Sequence, residues 1–521
     1  MHEATDDNMN PSDAPRAGSG PFIERLEERT LLSAFEAHVN FQPSKAPVPP
    51  EYIRDAGALY GKRQGHRFGW NVKNKSRVDR DSPKSPDQRY DTFASLVVNR
   101  KQRLRWEIAV PSGTYMVRIV GGDPAQKKNL IKIDAEGKRV VKGVTSSKNR
   151  FVERTKRITV TDGRLTVQSS TSRKLGHKIN FIDIVQIRAA RGTFEAEEYD
   201  ASGGVFNAGS TINSLDDGDW IRFDNLSFDG SIQSVQMELG VDREDDMNVI
   251  EFRLDAPDGQ LIGSHVTQTT GGKSSFMTQF AELSRAKGVH DLYVVFKGDP
   301  DIGSLDSITL SAERLVRIMP IGDSITEARG GYDSYRRPLW DLLVNQNGYS
   351  VDFVGPRYGV RANSGDPLHW DFDLDHAGHS GFRADQLRDA LAGFMSDADP
   401  DIVLLHVGTN DLRQAQAVED PIEEIGEIID LLRQHNPAIA IVLAQIIPAD
   451  ERVISLERLA AFHAQLSALA SSKNSGASPI VLVDFDGFDP AIHTFDGLHP
   501  TAQGEAIMAQ EWFEAVRELL D

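Results

Sequence analysis

The sequence predicts three domains in series: two all-β sandwiches, then an α/β domain of three layers on a five-stranded parallel sheet. Residues 41–313 alternate apolar and polar positions in short runs broken by turn signals, as half-buried strands do. Residues 314–521 switch to unbroken apolar runs separated by helical periodicity, the pattern of strands covered on both faces. At 521 residues the chain is also too long for one core.

Composition narrows the classes. Charged residues are 26% and hydrophobic residues 39%, which fits globular domains rather than a disordered chain. No apolar run reaches the roughly 18 residues of a membrane span. The chain has no cysteine, which excludes disulfides, thiolate metal sites and a Cys nucleophile. The net charge of -19 hides an asymmetry: residues 41–190 hold 32 Lys and Arg against 13 Asp and Glu. Either the two regions are solvated surfaces of opposite sign, or the basic third meets a polyanion. Without a helix-turn-helix pattern, zinc-finger spacing or aromatic nucleic-acid motif, no nucleic acid is expected as that partner. An acidic polysaccharide or cell surface fits better.

Residues 1–40 read as a leader. They lack the lysine-led apolar core of an ordinary signal peptide. FIERLEERTLLSA (Phe22–Ala34) would make an amphipathic helix with Leu26, Leu31 and Leu32 on one side. It also resembles a short motif near the start of many exported planctomycete proteins, which implies an extracellular or surface location.

Residues 41–190 form the first, basic domain. It opens on the Pro-rich FQPSKAPVPPEY, read as a linker. LRWEIAVPSGTYMVRIVGGD gives two alternating runs around a PSG turn, and RITVTDGRLTVQSS a strand pair around Asp162-Gly163, a hairpin signal. With YGKRQGHRFGWN, DQRYDTF and KINFIDIVQI, the segment resembles the β-sandwich attached to bacterial rhamnogalacturonan acetylesterase-like enzymes, related to malectin-like and galactose-binding folds.

Residues 191–313 form the second domain. FEAEEYD opens it, DGDWIRFDNL follows, and GVHDLYVVFKG and GSLDSITL close it. It resembles a family 6 carbohydrate-binding module over nearly its full length. The resemblance implies a structural calcium held by Glu195, Glu197 and Asp306, where hard oxygen ligands suit the ion; the alternative is ordinary exposed carboxylates. The loop TTGGKSSF has Lys273 where the family places an aromatic, and Ser214 and Leu215 precede DDGDW where another is usual. The module is therefore expected to bind a different glycan, to bind weakly, or only to orient its neighbour.

Residues 314–521 form the third domain, with five buried strand runs: VRIMPI, SVDFVG, DIVLLHVG, IAIVLAQII and IVLVDF. The last helix spaces Ile507, Trp512, Phe513 and Val516 on one face. Polar motifs follow the strands, at the sheet edge where such folds bind ligands. GDSIT places Ser324 there, VGTND places Asn410, and DGLHP places Asp496 and His499. A serine hydroxyl attacks poorly until a base takes its proton. His499 is the candidate base and Asp496 its partner. Backbone N–H groups of Ser324 and a glycine, with the Asn410 amide, would receive the oxyanion. Each motif alone is weak, but together, in this order on one sheet, they are specific.

The domain resembles the SGNH (GDSL-like) hydrolases, a flavodoxin-like fold. RIMPIGDSITEARGGYDSYRRPLWDLL, VDFVGP, DHAGHSG and DIVLLHVGTNDL resemble the family 3 carbohydrate esterases in particular. The resemblance implies Ser324 as nucleophile, His499 as base and Asp496 as its partner. Gly378 and Asn410 complete the oxyanion hole, with Gly381 as second choice for the glycine. It also implies no cofactor for catalysis. No H-E-x-x-H zinc motif points to metal-dependent deacetylation. Asp323 and Asp411 read as scaffold, and His406 as a buried, hydrogen-bonded core residue. His376 and His379 shape either the acyl pocket or only the glycine loop, and Trp370 and Phe372 either line a sugar subsite or pack the loop. The expected protein is a serine esterase that removes O-acetyl groups from a polysaccharide, and the basic first domain predicts that this substrate or its matrix is anionic. The rivals are a short-chain esterase or lipase acting on non-sugar esters, and a glycan-binding surface protein with a vestigial hydrolase domain.

Overall fold

The computed structural model describes residues 34–98, 102–170, 177–242 and 248–521. The Phe22–Ala34 motif lies outside them but for Ala34. Among the described residues, no helix is long and apolar enough to cross a membrane.

The first domain is a sandwich. One sheet joins β1 (Glu36–Phe41) and β2 (Gly113–Gly122) to opposite edges of β3 (Phe181–Ala189), with Phe151–Val160 beyond β2. The other runs from Lys138–Val144 to Gly61–Arg63. Phe41, Trp70, Trp106 and Tyr115 fill the space between them. The buried Asp55 carboxylate accepts both indole N–H groups, from Trp70 at 2.7 Å and Trp106 at 2.8 Å. Three expectations change here. The leader read over residues 1–40 ends earlier, because Val39 and Phe41 of β1 are fully buried in the sheet. The Pro-rich stretch after it packs too: the buried Gln42 amide donates to the Ala46 and Pro47 carbonyls. Nor does Asp162-Gly163 close a hairpin. Phe151–Val160 and Arg164–Ser169 belong to different sheets, so this turn, like the PSG turn, arches across the sandwich. Gly163 takes φ 73° and the Asp162 carboxylate accepts the Arg164 N–H; the local turn chemistry is right, but it cannot choose the partner strand.

The sheet of β1–β3 continues into the second domain. The end of β3 pairs in parallel with β4 (Trp220–Asp229), Arg188 opposite Leu226 and Ala189 opposite Ser227. The second domain encloses its own core, including Phe223, Phe252, Leu292 and Phe296.

In the third domain β5 (Val316–Gly322) is central. Its first half pairs with β6 (Val351–Phe353) and its second half with β7 (Asp375–Gly378). On its other side lie β8 (Ile402–His406), β9 (Ala440–Ala444) and β10 (Ile480–Val483), all parallel. The five expected runs are all strands. β7 is additional, because Asp375–Gly378 carries no apolar run to announce it. The site-bearing helices are α1 (Ser324–Glu327), α2 (Ala384–Ala398), α3 (Thr409–Arg413) and α4 (Ala502–Leu520). Trp340, Phe353, Trp512 and Val516 pack one face of the sheet; Met319, Leu405, Ile428 and Phe462 pack the other. The strand order reverses at β5, which puts a crevice at its carboxyl end.

The second domain docks on the third. Phe280 joins the core around Trp340, with ring centroids 6.3 Å apart. The Gln268 amide donates to Asp373 at 3.2 Å and Asp375 at 3.0 Å. Gly271 lies against the Trp370 indole, where a Cβ would approach to 3.0 Å. The TTGG loop thus faces the third domain.

Candidate active site

β5 ends at Gly322, and Asp323 caps the one-turn helix that follows by accepting the Ile325 N–H at 2.9 Å. The cap places Ser324 at the first helical position, at the carboxyl edge of the sheet. Ser324 Oγ lies 2.9 Å from His499 Nε2, and His499 Nδ1 lies 2.8 Å from Asp496 Oδ2. Asp496 Oδ1 accepts the Leu498 and His499 N–H groups at 3.0 and 2.8 Å. Burial disfavours the Asp496 charge, but the His499 N–H and ring outweigh it and hold the carboxyl below its usual range. The Phe495 ring stacks on His499 at 5.9 Å and 15°. Ser324, Ile325, Arg329, Tyr332, Phe495 and His499 help line a cleft of about 150 Å³. That is small beside the roughly 300–1,000 Å³ that encloses a drug-sized ligand; a short acyl group suits it.

Asn410 sits in α3, just beyond β8. Its amide donates to the Phe382 carbonyl at 3.0 Å and reaches Asp323 at 3.4 Å. Gly378 does not present a free donor. Its N–H is taken by His376 Nδ1 at 2.9 Å, and a Cβ there would lie 2.6 Å from the Glu327 nitrogen. It is the glycine that lets β7 pack on α1. Gly381 is exposed at φ 84°, and its N–H has no partner among the described residues.

Two residues that sequence reasoning missed hold this arrangement. The buried Glu327 carboxylate pairs with Arg357 through one oxygen and accepts the Ser380 N–H at 2.6 Å through the other, pinning the loop that carries Gly381. Buried Arg336 donates to the carbonyls of Thr326 at 3.0 Å, Leu374 at 2.8 Å and Gly359 at 2.7 Å, and burial lowers its pKa to about 10. The only sequence signal was charge inside otherwise apolar strings, TEA and YRRPLW.

Asp323 and Asp411 are scaffold: the first caps α1, and the second accepts the Ala384 N–H at 3.1 Å at the start of α2. Burial pushes both carboxyls up to about 6. His406 is buried in the core, but neither ring nitrogen has a hydrogen bond among the described residues; burial lowers its pKa to about 4. His379 stacks between Phe382 and Phe394, each at 4.7 Å, and so packs the glycine loop. Phe372 is core beneath Arg336, and Trp370 packs on the second domain, so both are loop packing rather than sugar platforms.

In the second domain Glu197 Oε2 is buried with no partner among the described residues. Burial, with Glu195 and Asp306 close by, pushes its carboxyl up. An orphaned oxygen among mutually repelling carboxylates fits a calcium ion. Among the described residues, Asp385, Asp411 and Glu424 form the one group of three such side chains whose ligand atoms all lie within 4.8 Å of one another; Glu195, Glu197 and Asp306 do not meet that spacing.

Residues 321–507 match the GDSL-like Lipase/Acylhydrolase family, and residues 195–312 match the family 6 carbohydrate binding module. The chain is similar to a multidomain esterase of Ruminococcus flavefaciens, 28% identical over 235 residues, which is 40% of this chain and 29% of that protein. It is similar to endo-1,4-beta-xylanase A of Thermoclostridium stercorarium, 26% identical over 199 residues, 34% of this chain and 37% of that protein. The chain thus spans about a third of the length of these curated relatives. Among solved structures it resembles a family 3 carbohydrate esterase of Clostridium thermocellum, 27% identical, covering 40% of this chain and 98% of that one at a TM-score of 0.35. With a serine, a histidine and an aspartate in hydrogen-bonded series at the end of β5, and with both matches in sequence, this chain carries a GDSL-like acylhydrolase domain behind a family 6 carbohydrate-binding module.

Proposed function

We propose that the protein is a serine esterase that removes O-acetyl groups from an exported or extracellular polysaccharide through an acyl-enzyme. The observation that carries this reading is the continuous series Ser324 Oγ–His499 Nε2 and His499 Nδ1–Asp496. His499 takes the Ser324 proton as Oγ attacks the acetyl carbonyl. The tetrahedral oxyanion is received by the N–H groups of Ser324 and Gly381 and by the Asn410 amide, whose long contact to Asp323 is the one it exchanges. His499 then protonates the departing sugar oxygen and activates the water that releases acetate. The series requires no cofactor. The family 6 module supports a sugar ester over a lipid-like one.

Acetate release from acetylated polysaccharides, measured beside cleavage of a soluble aryl acetate, tests the reading. Preference for the polysaccharide is expected. Aryl acetate cleavage alone would favour the short-chain esterase, and no turnover of either would favour a vestigial domain. Asn410→Ala should lower kcat about 10²–10³-fold with little change in KM, because its amide acts on charge that develops only in the transition state.

We further propose that Glu195, Glu197 and Asp306 hold a structural calcium. Chelation should lower the unfolding temperature of the chain, calcium should restore it, and Glu197→Gln should abolish the response.

A further inference from the structure

The mouth of the cleft carries two arginines that the reaction does not use. Arg329 and Arg361 both line it, and both are exposed. Neither guanidinium has a carboxylate partner among the described residues. Several other arginines of the domain do have carboxylate partners: Arg337 grips Asp371 with two bonds of 2.7 Å, Arg357 pairs with Glu327, and Arg388 pairs with Asp389 and Glu427.

Their positions are built. Arg329 lies over the Tyr332 and Phe495 rings, at 4.9 and 4.7 Å from the centroids, and Phe495 itself stacks on the catalytic imidazole. Arg329 therefore stands two stacking steps from His499. Arg361 is held beside it by its backbone: its N–H donates to the Ala328 carbonyl, and its loop is tied to the same segment by the Gly330 N–H to Ser364 Oγ at 2.8 Å and the Gly331 N–H to the Asp366 carbonyl at 2.9 Å. The two acids that line the cleft do not cancel the pair. Asp496 is committed to His499 and Leu498. Glu505 is recessed, and burial with Asp333 nearby pushes it up to about 7, so at neutral pH it holds only part of its charge.

We infer that Arg329 and Arg361 are specificity residues that bind a carboxylate on the substrate, so that the acetyl ester is presented on a uronic-acid-containing glycan. The planar guanidinium fork matches a carboxylate with two hydrogen bonds, and the two cations outnumber the one exposed carboxylate of the cleft, Asp496, which His499 already holds. This rests on the acetylesterase reading and assigns the substrate class to it.

The test uses the full chain and one pair of substrates: O-acetylated oligogalacturonides with free carboxyls, and the same oligosaccharides with the carboxyls methyl-esterified. Acetate release is followed at low salt. Wild type should favour the free acid by about tenfold in kcat/KM, and the preference should shrink as salt rises. Arg361→Gln should reduce that ratio, and Arg329→Gln with Arg361→Gln should bring it to about one; thermal melts identify any variant that has failed to fold, and Arg361→Gln, which removes no stacking contact, stands in for it. Equal rates on the two forms, or a preference that survives in the double variant, would overturn the inference. Acetate release from acetylated xylan but from neither galacturonide would also overturn it and leave the esterase reading standing. No release from any glycan or from an aryl acetate would overturn both.

Discussion

Ser324→Ala is expected to lower kcat for ester hydrolysis by roughly 10⁴–10⁶-fold while leaving the unfolding temperature almost unchanged. The hydroxyl makes its one side-chain hydrogen bond to His499, and the cap that fixes the helix comes from Asp323, not from Ser324. Alanine is compatible with the first position of that helix. Stability and turnover should therefore separate cleanly. Burst kinetics with an aryl acetate add a second readout: wild type should release a stoichiometric pulse of phenol if an acyl-enzyme accumulates, and the variant none. Turnover retained by the variant would place the nucleophile elsewhere.

Arg336→Met should cost about 3–5 kcal/mol of stability, the largest loss expected from any single substitution discussed here. The side chain is fully buried, and removing it takes the arginine donor from the carbonyls of Thr326, Leu374 and Gly359, of which Leu374 keeps the Gly359 N–H at 3.0 Å. At a pKa of about 10 the guanidinium is charged at neutral pH, so the carbonyl dipoles around it solvate a full charge. Methionine fills part of the volume and satisfies none of those oxygens. Because Thr326 lies two residues after Ser324, activity should fall too. Denaturant unfolding measures the first effect. A loss under about 1 kcal/mol would mean that water or other donors replace the arginine.

The α/β sheet was legible because each of its long strands is buried on both faces and so writes an unbroken apolar run, as IVLLH does in β8. The hydrogen-bonded series of Ser324, His499 and Asp496 was legible because short polar motifs at strand ends have few other reasons to occur together. The glycine was not. Gly378 and Gly381 are three residues apart in one motif, and what tells them apart is that the Gly378 N–H is taken by His376 while the Gly381 N–H has no partner among the described residues. Glu327 and Arg336 were missed for a related reason: a charged residue in a string does not disclose that it will be buried with partners drawn from distant loops. The Asp162-Gly163 turn shows the converse. Its conformation follows from two residues, but whether it returns the chain to the same sheet depends on the whole sandwich.

The parallel pairing of Arg188 and Ala189 with Leu226 and Ser227 carries one more consequence. Catalytic domains tethered to sugar-binding domains by flexible linkers sweep a volume of substrate set by linker length. Here the first two domains share a backbone hydrogen-bond ladder, and the second grips the third through Gln268 and Phe280. A glycan anchored on the second domain would therefore meet the cleft at a fixed offset, like work held in a jig, and under the proposed function turnover should recur at a spacing set by the protein rather than spread at random around the anchor.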